Sequence, residues 1–348
     1  GSELQKENEF VNKVREKIRN LEIIKLEGDI FISIDKIKSK YTSKRIYFPA
    51  DNFRVDNKLH NFLSQEIAFL DKNLYELYGR EFQNLKTFFN YSLTHDIGTL
   101  NLDATIIDFI LPKFDDFLAK NDNELLEMTE YIRLKFNELH ENTRITIKQS
   151  LRIKTKTGKW IKTSEAYISK DYSNEDLFDI LQEYVDFDVV GSDYLKYQKD
   201  RERWLAFFKE IGINFYFKCE ERSRIQNGID YEYEDIECNI LRKFFNDIKN
   251  IEKEKANLLT MKVFLSIDEN WDYYKGKLSI EYYKGIVRRA RVDDFDFMSQ
   301  SRSTAFLKML RETEWVPNCT NILLKPCEVY IDSKEIREYN ENWPRLNV

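Results

Sequence analysis

Three carboxylates recur at one place in a repeated phrase, and that spacing is the first candidate for chemistry in this 348-residue chain. Residues 21–37 (LEIIKLEGDIFISIDKI), 151–167 (LRIKTKTGKWIKTSEAY) and 314–330 (EWVPNCTNILLKPCEVY) align without a gap. The offsets of 130 (151 − 21) and 163 (314 − 151) superpose Asp35, Glu165 and Glu328 on what reads as the second strand of each copy. Three acids lining one surface would be an active site assembled by repetition. The favoured reading is local: a polar residue that recurs with a repeat mostly caps backbone N–H groups or pairs with a nearby lysine. The copies lie far apart along the chain, so nothing obliges the acids to converge.

The densest basic cluster is Arg288, Arg289 and Arg291 in GIVRRARVDDFD, with Lys284 nearby. Such a cluster could hold the phosphates of a nucleic acid. Asp293, Asp294 and Asp296 follow at once, however, so salt bridging on a solvated surface is the stronger reading. The same ambiguity attaches to Arg222, Arg224 and Arg242 beside Glu232, Asp235 and Glu237. His95 beside Asp96 has the form of a general base, but no serine or cysteine nucleophile with a supporting context accompanies it. The tripeptides Asp56-Asn57-Lys58, Asp247-Ile248-Lys249 and Asp332-Ser333-Lys334 match a nuclease strand only in a pattern too short to count. The four cysteines, Cys219, Cys238, Cys319 and Cys327, form no CxxC pair, and the three histidines stand far from them. A zinc site is not expected, and Cys219 and Cys327, in strand-like aromatic surroundings, read as buried inert thiols. No catalytic residue, cofactor-binding residue or metal ligand is assigned.

The elements that carry these residues also repeat. An amphipathic helical stretch precedes each phrase, over residues 10–21, 125–139 and 303–310. A hairpin follows, with Gly28, Gly158 and Asn321, residue types that tolerate the positive φ of a tight turn, at its turn. Downstream, Tyr75, Tyr78, Phe88 and Phe89 match Tyr194, Tyr197, Phe207 and Phe208 at an offset of 119 (194 − 75). The 3, 4, 3, 4 rhythm of Tyr194, Tyr197, Arg201, Trp204 and Phe208 predicts one face of a helix turned toward a core. The chain therefore reads as a first repeat unit over 1–122 and a second over 123–298 with a strand-containing insertion at about 213–240. A third, truncated unit begins at 299. The expected fold is α+β: helix-rich units, each with a small antiparallel hairpin or sheet, in an elongated modular arrangement.

Bulk properties agree with a folded, modular protein. The hydrophobic content of 42% can build cores, while 10 glycines and 5 prolines leave little flexible linker. A net charge of −6 argues against a chain-wide nucleic-acid surface. No apolar run spans a bilayer and no signal-peptide core opens the chain, so a cytoplasmic location with reduced thiols is expected. Gly1-Ser2 reads as a cloning scar, which implies a piece of something longer.

Three segments in order carry a family resemblance: FLSIDENWDYY (264–274), STAFLKMLRETEWVPN (303–318) and LLKPCEVYID (323–332). They resemble the repeat region of sacsin-like and plant No Vein-like proteins and their large bacterial relatives. There an asparagine-tryptophan helix, an FL…W-V-P stretch and a K-P-S-E-V-Y strand recur. GKWIKTSEAYIS followed by ERWLAFFKEIGI (202–213) looks like the same cycle, and IYFPADNF (46–53) is a weaker echo. Cys327 stands where the pattern has serine, and Thr163 where it has proline. The resemblance implies a noncatalytic scaffold or interaction region of a very large protein, with antiviral defence as the context expected of bacterial relatives. An ATPase module of the histidine-kinase/gyrase/chaperone type would lie elsewhere, with ATP and Mg bound there, and the partners would be other domains of that protein or a protein partner. The alternative is a nucleic-acid-binding segment of a defence or restriction-type system, with Arg288, Arg289, Arg291 and Lys284 as phosphate contacts.

Overall fold

A helix that ends just before an alternating apolar pair has only a short reach before its next hydrophobic residues must be buried, and a tight hairpin meets that demand. The computed structural model describes residues 2–26, 30–41, 46–49, 57–63, 66–75, 80–81, 83–84, 87, 97–115, 121–195, 200–225, 232–287, 295–318 and 320–329. It divides into two compact units, Gly1–Arg152 and Ile153–Val348. Among the described residues no helix is long and apolar enough to cross a membrane.

In the first unit, α1 (Ser2–Asn20) leads to an antiparallel hairpin of β1 (Ile24–Leu26) and β2 (Ile30–Ile32), with Leu26 opposite Ile30. Helix α2 (Ile34–Lys40) starts on Ser33, whose hydroxyl accepts the Lys36 N–H at 3.3 Å. Ile24, Leu26, Ile32, Ile34, Ile37 and Tyr41 join Ala68 and Leu70 in one apolar cluster, against which Ile18 and Leu74 pack. Next come β3 (Ile46–Pro49), α3 (Asn57–Leu63), β4 (Ala68–Phe69), α4 (Lys72–Tyr75) and β5 (Ile97–Leu100). The three strands form a parallel sheet in the order β4-β3-β5. Helix α5 (Leu102–Thr105) runs on through the π-helical turn Ile106–Ile110 and the 3-10 turn Leu111–Phe114. Helices α6 (Asp122–Lys135) and α7 (Glu141–Ser150) follow, and α7 packs on these two turns. The sequence predicts one helix over 125–139 leading straight into the second hairpin. The structure inserts α7, because the chain is extended at His140 (φ −64°, ψ 153°) and the β-branched run Thr143–Ile145–Thr146–Ile147 looks like strand while folding as helix.

The second unit opens with the hairpin of β6 (Arg152–Lys154) and β7 (Trp160–Lys162), followed by the 3-10 turn Thr163–Glu165. β8 (Ala166–Tyr167), α8 (Leu177–Leu181) and β9 (Asp188–Val189) come next, and β8 pairs in parallel with β9. Helix α9 (Arg201–Ile211) stops at Gly212, which takes the left-handed conformation at φ 87° that a helix C-cap favours. The expected insertion contains the antiparallel pair β10 (Glu220–Ile225) and β11 (Glu232–Glu237), while residues 213–217 supply only a bridge at Asn214. Then follow α10 (Asn239–Asp247), α11 (Lys253–Glu269), α12 (Trp271–Tyr274) and the two-stranded ribbon of β12 (Ser279–Val287) and β13 (Phe295–Ser303). Helix α13 (Ala305–Glu312), the hairpin of β14 (Val316–Pro317) and β15 (Leu323–Leu324), and the 3-10 turn Pro326–Glu328 complete the described chain. Short helices and small two-stranded antiparallel sheets dominate, as the α+β expectation has it.

The repeat is visible in backbone pairing. Tyr47 on the central strand β3 faces Phe69 on one side and Gly98 on the other. Tyr167 on β8 faces Val189 and Asn214 in the same way. The hairpins attach identically: Leu26 bridges Leu70 as Thr155 bridges Val190. The Asp71 N–H donates to the Lys25 carbonyl at 3.1 Å, as the Gly191 N–H donates to that of Lys154 at 3.0 Å. The first two copies therefore correspond at 129 (155 − 26) through the hairpin and 120 (167 − 47) at the parallel strand. The uniform 130 of the gapless alignment fails twice: the hairpins themselves pair one residue off it, at 129, and beyond them α2 is a full helix where the second copy has a single 3-10 turn, which lowers the offset to 120. Between the second and third copies 163 holds. The Thr155 N–H closes a three-residue loop on the Lys159 carbonyl at 2.8 Å, and Asn318 does so on Ile322 at 3.0 Å. Gly158 (φ 80°) and Asn321 (φ 59°) occupy the third loop position, as the turn grammar requires. Gly28 lies outside the described residues.

Candidate functional site

The three aligned acids are not on second strands. Each sits one step beyond, where the chain leaves the hairpin. Glu165 and Glu328 are the third residues of matching 3-10 turns, whereas Asp35 is the second residue of the longer α2. Glu328 turns back on its own backbone, its Oε2 accepting the Lys325 N–H at 3.1 Å, which satisfies a donor that the turn leaves orphaned. Asp35 pairs with Arg19 at 3.3 Å and Glu165 is exposed. Asp35 and Glu165 are therefore not equivalent in structure. Among the described residues no group of three or more His, Cys, Asp or Glu is placed to hold a metal ion.

Arg288, Arg289 and Arg291 lie outside the described residues, as do His95 and Asp96. Lys284 lies on β12, with its backbone opposite Met298. The basic cluster falls within the seven-residue connection between Val287 and Phe295 at the end of this ribbon.

The aromatic stripe is core, with one substitution of role. Trp204, Phe207, Phe208 and Ile211 of α9 are buried, and the Tyr194 ring lies 5.0 Å from Trp204 and 5.7 Å from Phe208. Tyr194 itself belongs to a separate 3-10 turn, where its hydroxyl accepts the Lys154 N–H at 2.6 Å. Arg201, predicted on the same face, instead ties α9 to the segment between β8 and α8, donating to the carbonyl oxygens of Tyr172 at 3.0 Å and Ser173. Tyr78, Tyr197, Phe88 and Phe89 are not among the described residues.

The most concentrated buried polar chemistry gathers on β10, β11 and α13. The Asp235 carboxylate is buried; its Oδ1 accepts the N–H groups of Ile236 at 2.9 Å and of Ala305, the first residue of α13, at 2.8 Å. Its Oδ2 lies 3.7 Å from Arg302. Buried Glu237 meets Arg242 at 3.1 Å and Arg222 at 3.6 Å. Apart from the Ile236 contact within β11, each polar contact named joins one element to another, which makes this constellation a joint between β11 and its neighbours β10, β13, α10 and α13. Cys219 and Cys238, the residues flanking the paired ends of β10 and β11, are buried beside Tyr273 and Tyr274. Burial raises the Cys238 thiol well above its ordinary range, with neighbouring Cys219 adding to the rise, and burial pushes Tyr273 up to about 12. A thiol held protonated in this way is a poor nucleophile, and burial shields Cys219 beside it from reagents. Cys327, expected to be buried, is exposed on its 3-10 turn. Iodoacetamide at neutral pH followed by peptide mapping should therefore label Cys327 in the native chain and reach Cys219 and Cys238 only after denaturation. Equal labelling of the three would refute the buried pair.

One ionic contact does recur at the hairpins: Lys25–Asp71 at 3.2 Å in the first copy and Lys154–Asp193 at 2.9 Å in the second. At the position of Asp71 the second copy has Gly191, where a Cβ would meet the Thr155 carbonyl oxygen at 3.1 Å, and the pairing carboxylate comes instead from Asp193, two residues on. The Asn73 N–H foremost, then Lys25, hold the Asp71 carboxyl below its ordinary range against an opposing desolvation effect. A lowered folded-state pKa contributes stability that is present above the unfolded value and lost as pH falls through the folded one. The stability gap between the native chain and Asp71→Asn in urea titrations should therefore shrink below about pH 3.8. A gap that stays constant from pH 7 to pH 3 would contradict the assignment.

No family model matches the chain, and neither the curated proteins nor the solved structures contain a significant match to it.

Proposed function

We propose that this chain is a noncatalytic scaffold and interaction region of a large sacsin/No Vein-like protein of the cytoplasm, coupling an ATPase module elsewhere in that protein to a partner or effector, with antiviral defence as its context. The observation that carries the reading is the recurrence of one backbone unit, the hairpin bridged onto a parallel strand pair centred on Tyr47 and then on Tyr167, with a third hairpin in the same register as the second. Chains built of such recurring units form extended surfaces, which such proteins use for binding other proteins. The test is affinity capture with the tagged chain from its native cells at physiological salt, before and after nuclease treatment. A discrete polypeptide partner that survives nuclease is the expected result; no reproducible partner would remove the scaffold reading.

A second reading has one observation in its favour. The basic residues Arg288, Arg289 and Arg291 fall at the end of a ribbon whose strands have nine residues each, roughly 30 Å of reach. A ribbon of that length joined in sequence through a basic cluster fits a nucleic-acid contact. Polarisation with a labelled DNA or RNA oligonucleotide at about 50 and about 200 mM salt distinguishes the two, since phosphate-driven binding falls steeply over that range. Tight salt-sensitive binding abolished by Arg288→Glu with Arg289→Glu would displace the scaffold reading.

A further inference from the structure

The first and third copies share one spacing throughout their opening segment. α1 ends at Asn20 and α13 at Glu312, while β1 starts at Ile24 and β14 at Val316, each pair 292 (312 − 20) residues apart. Val14 therefore corresponds to Phe306, Ile18 to Leu310, Ile23 to Trp315 and Phe31 to Leu323. In the third copy this face is covered. Phe306 is 0% exposed and stacks on Tyr274 of α12 at 5.6 Å. Trp315 is 1% exposed, between Phe245 of α10 at 5.4 Å and Phe264 of α11 at 6.4 Å. Helix α11 lies along β14 and reaches the loop beyond it, where Asn257 donates to the Asn321 carbonyl at 3.2 Å.

In the first copy the corresponding face is bare. Val14 is 39% exposed, Ile23 49% and Phe31 55%, with Phe10 and Leu21 exposed beside them in the sequence. These apolar side chains are spread over a helix and a hairpin that are otherwise built like their covered counterparts. Ile18, Ile24 and Ile32 on the inner side are packed into the unit's core. An outer face of this composition, on a unit whose twin is roofed by aromatic helices, is an interaction surface.

We infer that the α1–β1–β2 face of the first copy, carrying Val14, Ile23 and Phe31, docks an amphipathic aromatic helix of a neighbouring repeat unit, of the chemistry that α10 and α11 present to the third copy. This deepens the scaffold reading and rests on it: the same contact that joins copies within the chain joins the chain to its neighbour. Ile23 takes the place of Trp315 in that contact, the smaller residue where the twin has tryptophan, and Phe31 that of the half-buried Leu323 on the facing strand, the larger residue where the twin has leucine. The first face therefore carries less bulk than its twin at Val14 and Ile23 and more only at Phe31, which leaves room on it for a large side chain of the incoming helix.

The experiment titrates the full chain into a fluorescein-labelled synthetic peptide of residues 239–269 and follows anisotropy. Saturable binding is expected, weakened about tenfold or more by Ile23→Asp with Phe31→Asp, a change of about 1.4 kcal/mol. Both positions face solvent, so the variant keeps its fold, which far-UV circular dichroism checks. Peptide carrying Phe245→Ala and Phe264→Ala should lose binding to the unaltered chain, a result that does not depend on any variant of the chain folding. Failure to saturate, or binding indifferent to Ile23 and Phe31, overturns the inference. So does a dimer in sedimentation velocity that Ile23→Asp with Phe31→Asp abolishes, since the face would then belong to a second copy. A nuclease-resistant partner captured by both the native and the doubly substituted chain would leave the scaffold reading standing and remove this face from it.

Discussion

Replacing Trp315 with alanine lowers the unfolding free energy of the second unit by about 3–5 kcal/mol. The side chain is the largest of those fully buried, and it is held on two kinds of contact at once. Its ring lies between Phe245 and Phe264, which belong to different helices, and its indole N–H donates to the Leu310 carbonyl at 2.7 Å, one of the carbonyls that the end of α13 leaves without a helical partner. Alanine opens a cavity between α10, α11 and the third hairpin, and leaves that carbonyl to find water in an apolar site. Phenylalanine refills most of the volume but not the hydrogen bond, and should cost roughly 1–2 kcal/mol. Urea titration followed by circular dichroism measures both. A loss within about 0.5 kcal/mol for Trp315→Ala, the range of an ordinary surface change, would mean that the hairpin is not fixed through this ring.

The tryptophan shows why the repeat was legible in the sequence while its geometry was only partly so. Hairpin grammar is local: Gly158 and Asn321 mark left-handed turn positions, and alternation marks the inward residues, so both can be read from a few neighbouring letters. The parallel strands β3, β4, β8 and β9 are two to four residues long and held by pairing across intervening helices, which leaves almost no periodic signal. The matching pair Tyr47 and Tyr167 was present in the letters. A gapless alignment concealed it, setting Tyr167 against Ile37 and so carrying Asp35 into a correspondence that the longer α2 dissolves. Helix α7 was hidden for a different reason: its β-branched residues favour strand by propensity, while burial of Thr143 and Ile147 and packing on the turns that follow α5 hold the segment helical. The acids themselves illustrate how little composition says about role. Glu328 caps its own turn and Asp35 pairs with Arg19 across to α1, and neither arrangement can be inferred from a charge and an offset.

Asp235→Ala should cost the second unit about 2–4 kcal/mol, because it strips acceptors from a place where water cannot substitute for them. In the sequence this aspartate stands in a run of acids beside arginines and reads as part of a solvated, salt-bridged surface. The antiparallel register instead turns it inward, opposite Arg222 on β10 and against the start of α13. Its Oδ1 takes the N–H of Ala305, one of the four donors that the first turn of α13 cannot satisfy within the helix, while the Thr304 hydroxyl takes that of Leu307 at 3.1 Å. The negative charge also favours the positive end of α13 and the nearby Arg302. Alanine leaves the Ala305 and Ile236 N–H groups without this acceptor and Arg302 without this carboxylate, so α13 should fray from its first turn and the third hairpin loosen with it. Asparagine keeps one carbonyl oxygen for Ala305 and gives up only the charge, and it should lose less than half as much. Hydrogen exchange at Ala305 and Leu307 separates the cases: fast exchange at Ala305 in the alanine variant, with Leu307 still slowed by Thr304, is the expected pattern. Equal losses for alanine and asparagine would assign the contribution to charge rather than to the capping oxygen, and unchanged exchange at Ala305 in both would show that Asp235 is not the joint between β11 and α13.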